Sequence, residues 1–381
     1  MIYIANENNK ASNNIISVIE KLGIEYTHDN TVSATNVLYN IESYENLQFI
    51  EQLGLPQKWI AYKDVLIREL KRLNLPYVDS ICPNTREDIQ NFFQQHNKVF
   101  TKPVLYNGGS CGNASELLTN ENALVQTLDY TLWNSYEQFE NSIDIENLLS
   151  LQNNNDNYTW IPYIFQEAIT TEVDYNFYTV GCVNGEGDFF FLPIQKYSNN
   201  TYGYLYPANC DISGILNNSI PSDTDILQAG FCNPDDYNVD IDNINDTFKT
   251  LINSLNIRNS FIMAQGFVKD GLPYLQDISF RIPERLAKHP NPLVFEDLMK
   301  FTLDIVPEVT IGKYQKWSSF SKIEFPVLLN REIVETISTN FNIYPSAGLI
   351  GNNFGYFICY ADTKNDLINN IKNLKTYMNT L

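Results

Sequence analysis

The run Phe261-Ile-Met-Ala-Gln-Gly-Phe-Val-Lys-Asp-Gly-Leu-Pro-Tyr-Leu-Gln-Asp-Ile-Ser-Phe-Arg281 places β-prone residues on both sides of an Asp270-Gly271 pair. Glycine takes a positive φ without steric cost, so the pair predicts a hairpin with a tight turn. A hairpin fixes register, and register decides which side chains share a face. Alternation sets Asp277, Ser279 and Arg281 on one side of the second strand, with Gln265 on the first strand able to lie opposite. Oxygen donors beside an arginine suit a hard divalent cation and a polyphosphate. An ordinary hairpin with one solvated polar face fits the same residues.

Charge narrows the ligand. The 381 residues carry 45 acidic against 25 basic side chains, a net charge of −20. That field repels a nucleic-acid backbone or an anionic membrane, so neither is expected as a partner. Any anionic ligand must be held by a few locally placed lysines and arginines, which makes each of them informative. The six cysteines (Cys82, Cys111, Cys182, Cys210, Cys232, Cys359) are scattered without a CxxC pair. They read as reduced thiols rather than a disulfide or zinc framework. His28, His96 and His289 are too dispersed to support a histidine metal site. With no signal-like start and no membrane-length apolar run, the expected location is the cytoplasm.

The first ~95 residues read as β-α-β-α, hence a small parallel sheet: strands at 2–5 and 37–41, helices at 15–22 and 44–53, then a helix over 60–73 closed by Asn74-Leu75-Pro76. Strands follow at 99–104, 163–167, 173–183 and 189–194, with helices at 120–132 and 243–255. Residues 135–160 and 197–240 read as irregular, and 323–381 as a β-α-β-β-α unit. The expected class is therefore mixed α/β and α+β, in three parts: an N-terminal Rossmann-like α/β domain at 1–95, a central pair of subdomains at 96–310, and a small C-terminal α+β portion at 311–381. Within the central part a small subdomain covers about 96–167 and a larger one 168–310.

Two further constellations stand out. Lys102 ends a strand just before Asn107-Gly-Gly-Ser-Cys-Gly112. Gly108, Gly109 and Gly112, with Ser110, would let backbone N–H groups approach a phosphate while the lysine supplies charge. The turn matches neither the P-loop nor the dinucleotide fingerprint, and a flexible loop behind a surface lysine fits it too. Gln166-Glu167-Ala-Ile169 ends an apolar strand whose backbone could read an adenine edge. Glu172 or Asp174 just beyond could take ribose hydroxyls, or could simply cap exposed strands.

Taken in order, the segment from Lys63 to Pro76, Phe100-Thr-Lys-Pro103 with its glycine loop, Gln166 to Glu172, and the Gln265/Asp277-Ile-Ser-Phe-Arg281 hairpin resemble the ATP-grasp superfamily. The similarity lies in the branch of carbamoyl phosphate synthetase and the carboxylate–amine ligases, and spans about residues 60–305. The resemblance implies an ATP-grasp fold and ATP with Mg²⁺ or Mn²⁺. It implies that Lys63 and Lys102 contact the phosphates, the loop 107–112 acts as a lid, and Gln166, Glu167 and Ile169 hold adenine. Glu172 would take ribose, Gln265, Asp277 and Ser279 the metal, and Arg281 the transferring phosphoryl group. Arg285, Lys288, His289 and Lys196 become candidates for the carboxylate or acyl phosphate. The implied chemistry is ADP-forming ligation of a small carboxylate to an amine, with a homodimer left open. A bicarbonate-using enzyme of the biotin-carboxylase type shares the fold, as does a nucleotide-binding relative without turnover. Asp277 where the family usually has Glu, Ser279 for Asn and Thr171 for Gly are departures from the pattern.

Overall fold

The computed structural model describes residues 1–5, 10–29, 31, 34–39, 44–55, 62–104, 128, 131–153, 163–169, 173–191, 195–197, 241–282, 292–309, 317–345 and 351–381. Its N-terminal sheet contains β1 (Ile2–Ile4), β2 (Tyr26–Thr27) and β3 (Asn36–Leu38) in the order β2-β1-β3, all parallel. Helices α1 (Lys10–Lys21), α2 (Tyr44–Gln52) and α3 (Lys63–Arg72) belong to this half of the chain. The βαβ pattern demanded a parallel sheet, because a strand returning through a helix re-enters in the same direction.

A second, antiparallel sheet is built from β4 (Ser80–Ile81), β5 (Val99–Pro103), β6 (Thr131–Trp133) and β7 (Tyr163–Glu167), ordered β4-β7-β5-β6. One face of it is covered by α4 (Arg86–Gln95), α5 (Tyr136–Ser142) and α6 (Ile145–Asn153), which share a core with Val99, Trp133, Tyr163 and Phe165. Here two expectations are corrected. Thr131 and Leu132, expected at the end of a helix, lie instead in a strand that runs on to Trp133: Val99 pairs with Trp133, and the Trp133 indole N–H donates to Thr101 Oγ1 at 2.9 Å. Residues 136–142 and 145–153, expected to be irregular, are helical. Ser135 caps α5 by accepting from the Gln138 N–H, and Phe139, Ile145 and Leu148 are buried. Cap and apolar spacing together overcame the Asn-rich composition.

The central sheet runs β10-β8-β11-β12, from β8 (Tyr175–Val183), β9 (Phe189–Phe191), β10 (Gln195–Tyr197), β11 (Ser260–Lys269) and β12 (Leu272–Ser279), with β9 pairing β8. Asp270 and Gly271 have φ of 54° and 72°, the left-handed pair expected of the turn. One face buries Ile262, Ala264, Leu275 and Ile278 against α7 (Ile241–Ser254), α3 and the N-terminal sheet. The opposite face packs Val180, Phe261 and Met263 on α8 (Pro292–Thr302). Further along that second face the apolar residues stop and the polar row begins. The C-terminal unit has the expected β-α-β-β-α order: β13 (Trp317–Glu324), α9 (Arg331–Phe341), β14 (Ile343–Pro345), β15 (Phe354–Ala361) and α10 (Lys364–Met378). Among the described residues Cys82, Cys182 and Cys359 are free, and no helix is long and apolar enough to cross a membrane.

Candidate active site

Lys63 opens α3, Lys102 lies in β5 and Asp277 in β12, and the fold brings these three distant charges together. Lys63 Nζ lies 3.6 Å from Asp277 Oδ1. Lys63 is only 2% exposed, and its ammonium has no hydrogen-bond partner. Its backbone N–H donates to the Val104 carbonyl at 2.9 Å, tying the head of the helix to the end of β5. Lys102 is 3% exposed. Burial, then repulsion from Lys63, lowers its pKa to about 7, against an opposing pull from Asp277. Two buried lysines sharing one carboxylate leave positive charge uncompensated, which an anionic ligand would relieve.

The hairpin register makes Gln265 and Asp277 direct cross-strand partners, with Met263 opposite Ser279 further along the ladder. The register slips between Gln265 and Gly266, so Gln276 is an extra residue and β12 bulges. Gly266 is required there: a Cβ would overlap the Tyr274 carbonyl oxygen and press on the Phe177 ring. Ser279 is buried and its Oγ accepts from the Arg281 N–H at 3.4 Å, which gives that hydroxyl a partner in the backbone. Among the described residues no group of three or more His, Cys, Asp and Glu could hold a metal. Magnesium is commonly held by one or two carboxylates together with substrate phosphates and water. One carboxylate facing one amide fits a cation arriving with a polyphosphate, and does not fit a cage made by protein alone.

In the sheet that carries Lys102, Gln166 pairs with Phe100 and Ile164 with Lys102. Alternation therefore sets Gln166 on the same face as Lys102. Gln166 is 1% exposed; its Nε2 donates to Ser80 Oγ at 3.1 Å while its Oε1 has no partner. The N–H groups of Glu167 and Ala168 are engaged with the carbonyls of Asp79 and Lys98, at 2.8 and 3.1 Å. Ile169 packs with Val78, Val173 and Phe267, and Phe267 stacks on Tyr274 with centroids 4.9 Å apart. An apolar cluster with an aromatic stack, following closely in the chain on a buried amide acceptor, suits a planar base carrying an amino group. Asp174 is engaged elsewhere, where its carboxylate accepts from the Gly271 N–H at 3.0 Å and caps the hairpin turn.

Several expected site residues lie outside the described residues: Gly108, Gly109, Ser110, Gly112, Glu172, Arg285, Lys288 and His289. The segment 207–240 lies outside them too. Lys196 stands opposite Phe177, one register position from the row of Gln195, Tyr178 and Gln265. Arg281 is half-buried just past β12. The sequence reading missed Ser80, which orients Gln166, and Phe267, which packs in one cluster with Ile169. It also missed Asn176, 5% exposed, whose Nδ2 has no partner and whose backbone pairs with Phe267. The available signal for Asn176 was a single amide inside an aromatic strand.

No protein-family model matches this chain, and no curated protein is significantly similar to it in sequence. Solved structures do match. N5-carboxyaminoimidazole ribonucleotide synthetase from Thermotoga maritima is 10% identical with a TM-score of 0.56, covering 98% of this chain and 97% of that one. N5-carboxyaminoimidazole synthase from Aspergillus clavatus, in complex with ADP and 5-aminoimidazole ribonucleotide, is 10% identical with a TM-score of 0.57, covering 99% and 98%. Phosphoribosylglycinamide synthetase from Anaerococcus prevotii is 11% identical with a TM-score of 0.53, covering 99% and 97%. The fold is the ATP-grasp fold, shared along nearly the whole chain. It is the arrangement of those synthetases, carried by a sequence only 10–11% identical to theirs.

Proposed function

We propose that this chain is an ATP-dependent carboxylate–amine ligase working through an acyl phosphate. The observation that carries the reading is the convergence of buried Lys63 and Lys102 on Asp277. On this reading the nucleotide lies between the two sheets, its base against Ile169 and Phe267 with its amino group toward Gln166 Oε1. Its phosphates reach the two lysines, and the glycine loop 107–112 is the candidate lid. Gln265 and Asp277 would hold Mg²⁺, which supplies charge neutralisation along the phosphates. A substrate carboxylate oxygen attacks the γ-phosphorus, the bond to the β–γ bridging oxygen breaks, and ADP leaves. Arg281 would balance charge on the transferring group. The amine then attacks the acyl carbon, the acyl C–O bond breaks, phosphate departs and the amine loses a proton. This chemistry demands positioning and cations rather than a protein nucleophile. Arg285, Lys288, His289 and Lys196 remain candidates for the carboxylate side, and Glu172 for ribose.

The test is a screen of small carboxylates paired with amines for ATP-dependent phosphate release, with mass analysis of products. Amino acids and ribosylated amines belong in the acceptor set, because the Aspergillus synthase is described with such a ribonucleotide. A ligand that binds only the native state raises the melting temperature by mass action. Absence of any shift with millimolar ATP and Mg²⁺ would remove the nucleotide reading altogether.

A further inference from the structure

Asp277 is asked to do two things at once. It is the carboxylate within 3.6 Å of a lysine that is almost wholly buried and has no hydrogen-bond partner. It is also the one carboxylate of the Gln265–Asp277–Ser279 row that could hold a cation. Without a ligand, drawing Asp277 onto a metal would strip Lys63 of the charge that compensates its burial. It would also bring a divalent cation beside two buried lysines. Removing one member of a buried ion pair is strongly unfavourable, because the partner is left desolvated and unpaired. A polyphosphate reverses the balance: its oxygens take over both lysines and free the carboxylate.

We propose that the Lys63–Asp277 ion pair masks the metal site, so that a divalent cation enters only with, or after, the nucleotide. The inference rests on the nucleotide-binding reading above and adds an order to it. In the free protein the same pair engages Asp277, whose side chain is 24% exposed.

The experiment titrates the full chain with Mn²⁺ alone, in the absence of nucleotide, and follows the loss of the free-ion signal by electron paramagnetic resonance. Lys63 competes with a cation for Asp277 and repels it, so both effects oppose metal binding. Lys63→Met, which replaces the buried charge with a side chain of similar length, is therefore expected to bind Mn²⁺ at least about tenfold more tightly than the wild type. The gain should vanish in Lys63→Met/Asp277→Asn. Lys63→Gln provides a second background, and thermal unfolding checks that each variant is folded. Equal Mn²⁺ affinity in wild type and both Lys63 variants overturns the masking. A gain that survives Asp277→Asn overturns it as well, and places the cation elsewhere. The nucleotide reading is judged separately, by ATP-dependent stabilisation of the wild type, so the two can fail independently.

Discussion

Gln166 donates its amide N–H to Ser80 Oγ, and Ser80 in turn donates its hydroxyl to the Val78 carbonyl at 2.9 Å. With the hydroxyl proton spent on Val78, Ser80 can only accept from Gln166. The amide orientation is thereby fixed, and Oε1 is left as a buried acceptor with no donor. A buried polar atom left unsatisfied costs about 1–3 kcal/mol, and a bound amino group would recover part of it.

Base selectivity follows from that geometry. Gln166→Leu should weaken ATP binding by about 1–2 kcal/mol and leave GTP binding almost unchanged, since a 6-oxo group offers no donor. Titration calorimetry with both nucleotides checks it; an equal loss for the two would assign Gln166 to packing alone.

Asp277→Asn should abolish metal-dependent turnover and also destabilise the protein by about 1–3 kcal/mol, because Lys63 loses its counter-charge while Asp277's partial exposure softens the loss. Adding Lys63→Met should restore stability without restoring activity. Denaturant unfolding of the single and double variants separates the two effects, and an unchanged midpoint in the single variant would count against the ion pair.

Lys102 gives the fold a pH dependence. Its native pKa of about 7 lies below the ordinary value of 10.5, so between these limits the unfolded chain binds more protons than the native one. Stability contributed at this site is therefore lowest below about pH 7 and rises with pH toward about 10. Between about pH 7 and 9 the rise should approach 2–3 kcal/mol, and Lys102→Met should remove it. Unfolding curves at the two pH values, wild type against variant, measure the difference directly. Equal slopes would mean that Lys102 stays charged in the native state.

Gly266→Ala should cost about 2–4 kcal/mol, since the added methyl meets backbone rather than a movable side chain. The loss should extend to ATP affinity, because relief by sliding β12 would move Asp277 from its place opposite Gln265. Gly271→Ala, at the exposed turn, is the control. Its substitution strains a positive φ but meets nothing within 4 Å, so it should cost stability without touching affinity.

The sequence by itself determined the local elements whose cause is local. The Asp270-Gly271 turn, the alternation of Gln265, Asp277 and Ser279, the parallel N-terminal βαβ unit and the C-terminal β-α-β-β-α order were all legible, because turn chemistry and period are written in neighbouring residues. Residues 131–133, 136–142 and 145–153 were not, since strand or helix there depended on β5 and on a core supplied from elsewhere. The site divides the same way. Residue types and order pointed to Lys63, Lys102, Gln166 and Asp277 one by one, but only tertiary structure decided that Lys63 reaches Asp277 and that Lys102 is buried beside them. It alone decided that Asp174 caps a turn and that Ser80 orients Gln166. Distances between residues far apart in the chain, and the burial that sets their charge, arise from packing, and no local pattern records them.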